Sequence, residues 1–74
     1  MFIKLTNATE EFAGEVLIIN TDHIISIFEI QEKKDDVEVS KTNLYTITQQ
    51  AWVVEEPVNE VYKLIKENCN GGLI

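Results

Sequence analysis

Val16-Leu17-Ile18-Ile19-Asn20-Thr21-Asp22-His23-Ile24-Ile25-Ser26-Ile27-Phe28-Glu29-Ile30-Gln31 is the stretch whose pattern governs the fold. Two β-branched apolar runs flank a short polar break, Asn20-Thr21-Asp22, whose side chains bond readily to nearby backbone and so favour a turn. Isoleucine and valine are stiff at χ1 and pack well on a pleated surface, so both runs read as strands. Side chains alternate faces along a strand. In the second run, Ile24, Ser26, Phe28 and Ile30 share one face, and Ile25, Ile27 and Glu29 the other. Each run is apolar on both faces, the pattern of a strand that is central in a sheet or covered on both sides.

Working outward, Phe2 to Thr6 alternates as a short first strand, with Ile3 and Leu5 on one face. Ala8 to Gly14 is a polar turn region. Downstream, Glu32-Lys33-Lys34-Asp35-Asp36 predicts a charged hairpin loop, and Val37 to Thr42 a strand with Val37 and Val39 inward. Asn43 to Thr48 continues that strand or starts another. Gln49-Gln50 is a turn before a last strand, Ala51 to Glu55. The spacing then predicts a helix over about 57–69 and a loose tail at 70–74. Pro57 suits the first helical position, and Asn70-Gly71-Gly72 supplies the stop. Val58, Val61, Tyr62 and Ile65 fall at i, i+3, i+4 and i+7, one apolar stripe that Leu64 widens. Val61 and Ile65 are the expected central contacts with the sheet, and Val58 and Tyr62 the flanking ones.

The expected architecture is α+β: a single domain over residues 1–74, with a small antiparallel sheet of four to five strands and one C-terminal helix packed on one face. A helix of roughly 11 residues spans only about 16 Å. It cannot cover all the apolar surface that two two-faced strands present. Large apolar patches are rarely left in water, so the mismatch predicts self-association, with a two-fold dimer favoured. The candidate interface residues are Ile18, Ile24, Phe28, Ile30 and Trp52.

Charge narrows the partners. Thirteen acids stand against six bases, a net charge of −7, and all six bases are lysine. Nucleic-acid binders displace counterions with basic patches and read phosphate and guanine with arginine, so no nucleic-acid partner is expected. The same charge argues against an anionic membrane surface, and no apolar run approaches the roughly 20 residues of a membrane span. The one cysteine forms no internal disulfide, so a cytoplasmic protein is expected.

Catalytic chemistry finds little support. His23 beside Asp22 is half of a relay, but the available nucleophiles are Ser26, Ser40 and Cys69, the last near a helix end. The plainer reading is a turn histidine entering a strand. One His and one Cys far apart make no zinc site. Asp35, Asp36 and Glu38 lack the ligand order and central glycine of a calcium loop. Gly71 and Gly72 follow the helix, where they cannot build a phosphate cradle at its start. Phe2, Phe28, Tyr45 and Trp52 read as fillers of a small core, with Trp52 the one to watch as an interface residue. Glu55, Glu56 and Glu60 read as favourable charges at a helix start rather than as an acidic docking patch. No catalytic residue, metal site or cofactor is expected.

Ile3-Lys4-Leu5-Thr6, Leu17-Ile18-Ile19-Asn20 with Asp22 and Ile24, then Ile27 and Ile30, Tyr45-Thr46-Ile47-Thr48, and Trp52-Val53-Val54-Glu55 leading into Val58-Asn59-Glu60-Val61 together form a recognisable pattern. It resembles the FlbD-like family, small bacterial proteins of flagellar and swarming-motility gene clusters. The resemblance runs from Phe2 to about Ile65 and rests on apolar spacing and turn residues. The chain departs from it where Gln49-Gln50 replaces an Asn-Gly-type turn and where 32–42 is longer. It implies a small β-rich fold and no catalytic residues. The expected function is a non-enzymatic interaction module acting through self-association or a protein partner. The alternative is an acidic regulatory or inhibitory protein of a phage or mobile element that mimics nucleic acid.

Overall fold

Five strands and one helix form over the described residues, 1–67, of the computed structural model. The predicted tail at 70–74 and the last two residues of the predicted helix, Asn68 and Cys69, lie outside them. Strand β1 (Phe2–Thr6) buries Ile3 and Leu5, as its alternation requires, and pairs antiparallel with β2 (Val16–Asn20). Ile3 stands opposite Ile19 and Leu5 opposite Leu17. The connection holds a 3₁₀ turn at Glu10–Phe12 and Gly14, whose φ of +89° is a conformation that side-chain-bearing residues rarely adopt. A second 3₁₀ turn, Thr21–His23, is capped by Asn20 Oδ1, which accepts from Asp22 N at 3.0 Å.

Strands β3 (Ile24–Lys34), β4 (Val37–Thr46) and β5 (Ala51–Val54) make a second antiparallel sheet in the order β3-β4-β5. The α+β class is as expected, but the strands form two sheets rather than one. The charged loop is also shorter than expected. Both strands run up to a two-residue turn, Asp35-Asp36, with φ of 52° and 62°. Positive φ at both centres is the signature of the turn whose twist matches a hairpin's strands. The chain from Asn43 to Thr46 continues β4 without a break. The sheets meet at one corner, where Asn7 bridges Val54, Ala8 N donates to Val53 O at 2.7 Å, and Glu55 N donates to Thr6 O at 2.9 Å.

A β-bulge at Ile25 overturns the predicted faces of β3. Ile24 pairs with Thr46 but Ser26 pairs with Tyr45, so Ile25 has no opposite number. An extra residue switches the side-chain parity of everything beyond it. Ile24 and Ile27 therefore both face the core, whereas Ser26, Phe28 and Ile30 face away from it. Strand β2 is not central either. It pairs only with β1 among the described residues, and its outer side chains Val16 and Ile18 are exposed. Val37 is exposed and Val39 half-buried, because that end of the hairpin projects past the core.

The core joins Ile3, Leu5 and Ile19 from the first sheet to Leu44 and Val54 from the second, with Val61 of helix α1 (Val58–Glu67) wedged among them. Leu64 and Ile65 pack on its edge. Tyr62 is half exposed, so the helix is rolled toward Leu64 and away from the Tyr62 side of the predicted stripe.

Glu56 fastens these parts together. Its carboxylate accepts from Thr6 N at 2.9 and 3.1 Å and from the Thr6 hydroxyl at 3.0 Å, while its carbonyl oxygen accepts from the Thr42 hydroxyl at 2.7 Å. It was expected to act only as a charge near the helix start. In the fold it ties the end of β1 and the middle of β4 to the chain entering α1. Hydrogen bonds to a charged group contribute about 1.5–3 kcal/mol, so Glu56→Ala is expected to lower stability by about 2 kcal/mol in a urea melt. Glu60→Ala, in the first helical turn without such a partner, is expected to change it by no more than about 1 kcal/mol.

Candidate interaction surface

The register of the three-stranded sheet decides what its outer face carries. Ser26 stands beside Tyr45 and Ala51, Phe28 beside Asn43 and Val53, and Ile30 beside Lys41. Phe28 is 49% exposed and Tyr45 39%, with Ile30 and Val53 half-buried next to them. These four side chains form an apolar patch on the side of the sheet opposite the core. Asn43 lies at its centre. Its Oδ1 is shielded from solvent and has no hydrogen-bond partner, although such buried polar atoms are ordinarily paired.

An ion chain borders the patch. Lys41 Nζ lies 2.8 Å from Glu32 Oε2 and 3.6 Å from Glu55 Oε1. The hydrogen bond to Glu32 is the main reason that the Lys41 ammonium holds its proton above its ordinary pKa; partial burial opposes this, and the charges of Glu55 and Glu32 add to it. Glu55, read from sequence as a helix-start charge, thus serves this border.

The five candidate interface residues do not converge. Phe28 and Ile30 belong to the patch. Ile18 lies on the outer face of the β1–β2 sheet, 61% exposed. Ile24 and Trp52 pack against the core from the inner side. Of the four aromatics read as core fillers, Trp52 alone packs there, and Phe2, Phe28 and Tyr45 are exposed. Tyr45, Val53 and Asn43 were missed as surface residues. The two-residue turn at Asp35-Asp36 was the signal that would have found them, because it fixes which β4 residue faces each β3 residue.

Two clefts flank the core. One of about 210 Å³ lies between β3 and α1, lined by Thr21, Ile24, Ile25, Ser26, Ile27, Tyr62 and Ile65. The other, of about 310 Å³, includes Phe2, Ile18, His23, Thr46 and Trp52 in its walls. The first has no ionisable side chain except the Tyr62 phenol, and the second has only His23. Asp22 and His23 are exposed on the 3₁₀ turn. Among the described residues no three His, Cys, Asp or Glu side chains are grouped to hold a metal, and no helix is long and apolar enough to cross a membrane. Compared with protein-family models, with curated proteins and with solved structures, the chain matches none of them.

Two outcomes follow from the patch. Asn43→Val removes the unpaired oxygen and places a strand-favouring side chain between Phe28 and Val53. It is expected to stabilise the monomer by about 1 kcal/mol, read from urea midpoints at low protein concentration. The second concerns pH. The folded pKa of Lys41 lies above its ordinary 10.5, so its contribution is complete below that value and is lost as pH rises through the folded pKa. Between about pH 9 and pH 12 the wild-type urea midpoint is expected to fall further than that of Lys41→Met.

Proposed function

We propose that this protein is a non-enzymatic interaction module that works by self-association, as a two-fold dimer. The outer face of the three-stranded sheet carries this reading: Phe28, Ile30, Tyr45 and Val53 in one patch around an oxygen that has lost its water without gaining a partner. Phe28 and Ile30 stand on the edge strand of that face, and aromatic residues dominate the energetics of protein interfaces. The clefts offer no nucleophile paired with a base, which favours binding over catalysis. The −7 charge and the absence of arginine favour a protein partner over nucleic acid. A chain with a single cysteine holds no internal disulfide, which fits the reducing cytoplasm. The resemblance to the FlbD-like family accords with a binding role, since it implies no catalytic residues.

Sedimentation equilibrium at micromolar concentration tests the reading. Twice the chain mass of 8.5 kDa is the expected species. Phe28→Ser is expected to weaken the dimer at least about tenfold, the loss typical of an interface aromatic. Phe2→Ser, on the other sheet, is expected to leave it unchanged. A monomer at every concentration, or equal effects of the two substitutions, overturns the reading.

A further inference from the structure

Strand β3 has eleven residues and, among the described residues, pairs with β4 on one side only. No strand among the described residues pairs with its other edge, whose backbone N–H and C=O groups are those a partner strand can take. The bulge at Ile25 twists the start of that edge and leaves residues 26–34 in regular register. Four exposed ionisable side chains punctuate the regular stretch: Glu29, Glu32, Lys33 and, next to the turn, Lys34.

This inference rests on the self-association reading and specifies how the copies meet. We infer that two copies join antiparallel along their β3 edges, with the two-fold axis at Gln31. The charge pattern selects that register. Residues facing each other across a two-fold axis must lie on the same face of the joined sheet. An axis at Glu29, Glu32 or Lys33 sets a charge against its own copy. An axis at Ile30 sets Phe28 against the partner's Glu32 and Ile27 against the partner's Lys33, and an axis at Phe28 sets Ile27 against the partner's Glu29. At Gln31 alone, Glu29 meets the partner's Lys33 and Lys33 meets the partner's Glu29.

The neighbouring contacts agree with this register. Gln31 Nε2 donates to Glu29 Oε1 at 3.0 Å, which orients the carboxylate. Lys33 stands opposite Glu38 on β4 yet forms no ion pair with it, so its ammonium is available across the edge. On the outer face, Phe28 meets the partner's Lys34, whose aliphatic stem covers the ring. Ile30 meets the partner's Glu32, and in each copy Glu32 is already drawn toward its own β4 by Lys41 at 2.8 Å. The paired stretch, 28–34, lies entirely beyond the bulge. The product is one six-stranded sheet in which the outer patches of both copies lie on the same side.

Charge reversal tests the register by sedimentation equilibrium, with circular dichroism confirming the fold of each variant. Glu29→Lys replaces two attractive pairs with two repulsive ones and is expected to raise the dimer dissociation constant about tenfold. Adding Lys33→Glu to it restores opposite charges and is expected to bring the constant back to within about twofold of wild type. Gln31→Cys in a Cys69→Ser background is expected to give a disulfide-linked dimer on mild oxidation, whereas Glu38→Cys in the same background is not. A dimer indifferent to Glu29→Lys, or one that the double reversal fails to restore and Gln31→Cys fails to cross-link, overturns the register and leaves self-association standing. A wild-type monomer overturns both. An extended segment of another protein on the same edge would appear as a monomer that binds that segment, and it too overturns the inference.

Discussion

The carboxylate of Glu56, held on the backbone N–H and hydroxyl of Thr6, is the constraint on which the rest of the molecule depends. Two small sheets that share a corner have few ladder bonds between them, here those around Asn7 and Val54. Without a further tie the β1–β2 hairpin can hinge away from the three-stranded sheet and expose Ile3, Leu5 and Ile19. Glu56 supplies that tie one residue before Pro57, so the same clasp also sets where α1 departs. Its carbonyl reaches the fully buried Thr42, which extends the restraint to β4.

What the clasp closes is a thin core. Six apolar side chains are fully enclosed, three from one sheet, two from the other and one from the helix. A chain of 74 residues has too little interior to hide all its apolar side chains. The helix, rolled onto Val61 and Leu64, covers the inner side. The outer face of the three-stranded sheet keeps Phe28 and Tyr45 exposed. The same shortage of volume leaves the two clefts lined by described residues small, open and nearly free of ionisable groups. A fold of this size acts most readily through its surface, and Phe28 and Tyr45 stand exposed together on one sheet face, Phe28 on the strand that is an edge among the described residues.

Strand β3 concentrates that surface because of a single extra residue. The bulge at Ile25 lets the strand serve the core with Ile24 and Ile27 and then turn Phe28 and Ile30 outward. It also twists the beginning of an otherwise long apolar edge, one of the ways in which edge strands are kept from pairing indiscriminately. The charges near the far end of the strand do the same for the remaining edge and, by their order, favour one pairing over the others.

Local pattern was enough to mark the strands and the helix, leaving open whether Asn43 to Thr48 began a strand of its own. Alternation in β1, the β-branched runs of β2 and β3, and the stripe from Val58 to Ile65 each reflect local periodicity, which needs no knowledge of neighbours. The shortage of helix relative to apolar strand surface was legible in the same way. The tertiary structure alone decided which faces are which. A bulge leaves no mark in composition, because Ile25 resembles its neighbours, yet it inverts the faces of the nine residues from Ser26 to Lys34 relative to Ile24 and sets Ile24 against the core rather than in the expected interface. Glu56 was indistinguishable from Glu55 and Glu60 as one of three acids before a helix. Its role as a clasp depends on Thr6, 50 positions away, arriving within hydrogen-bond reach. Long-range pairing sets such roles, and pairing is a property of the folded chain rather than of any segment of it.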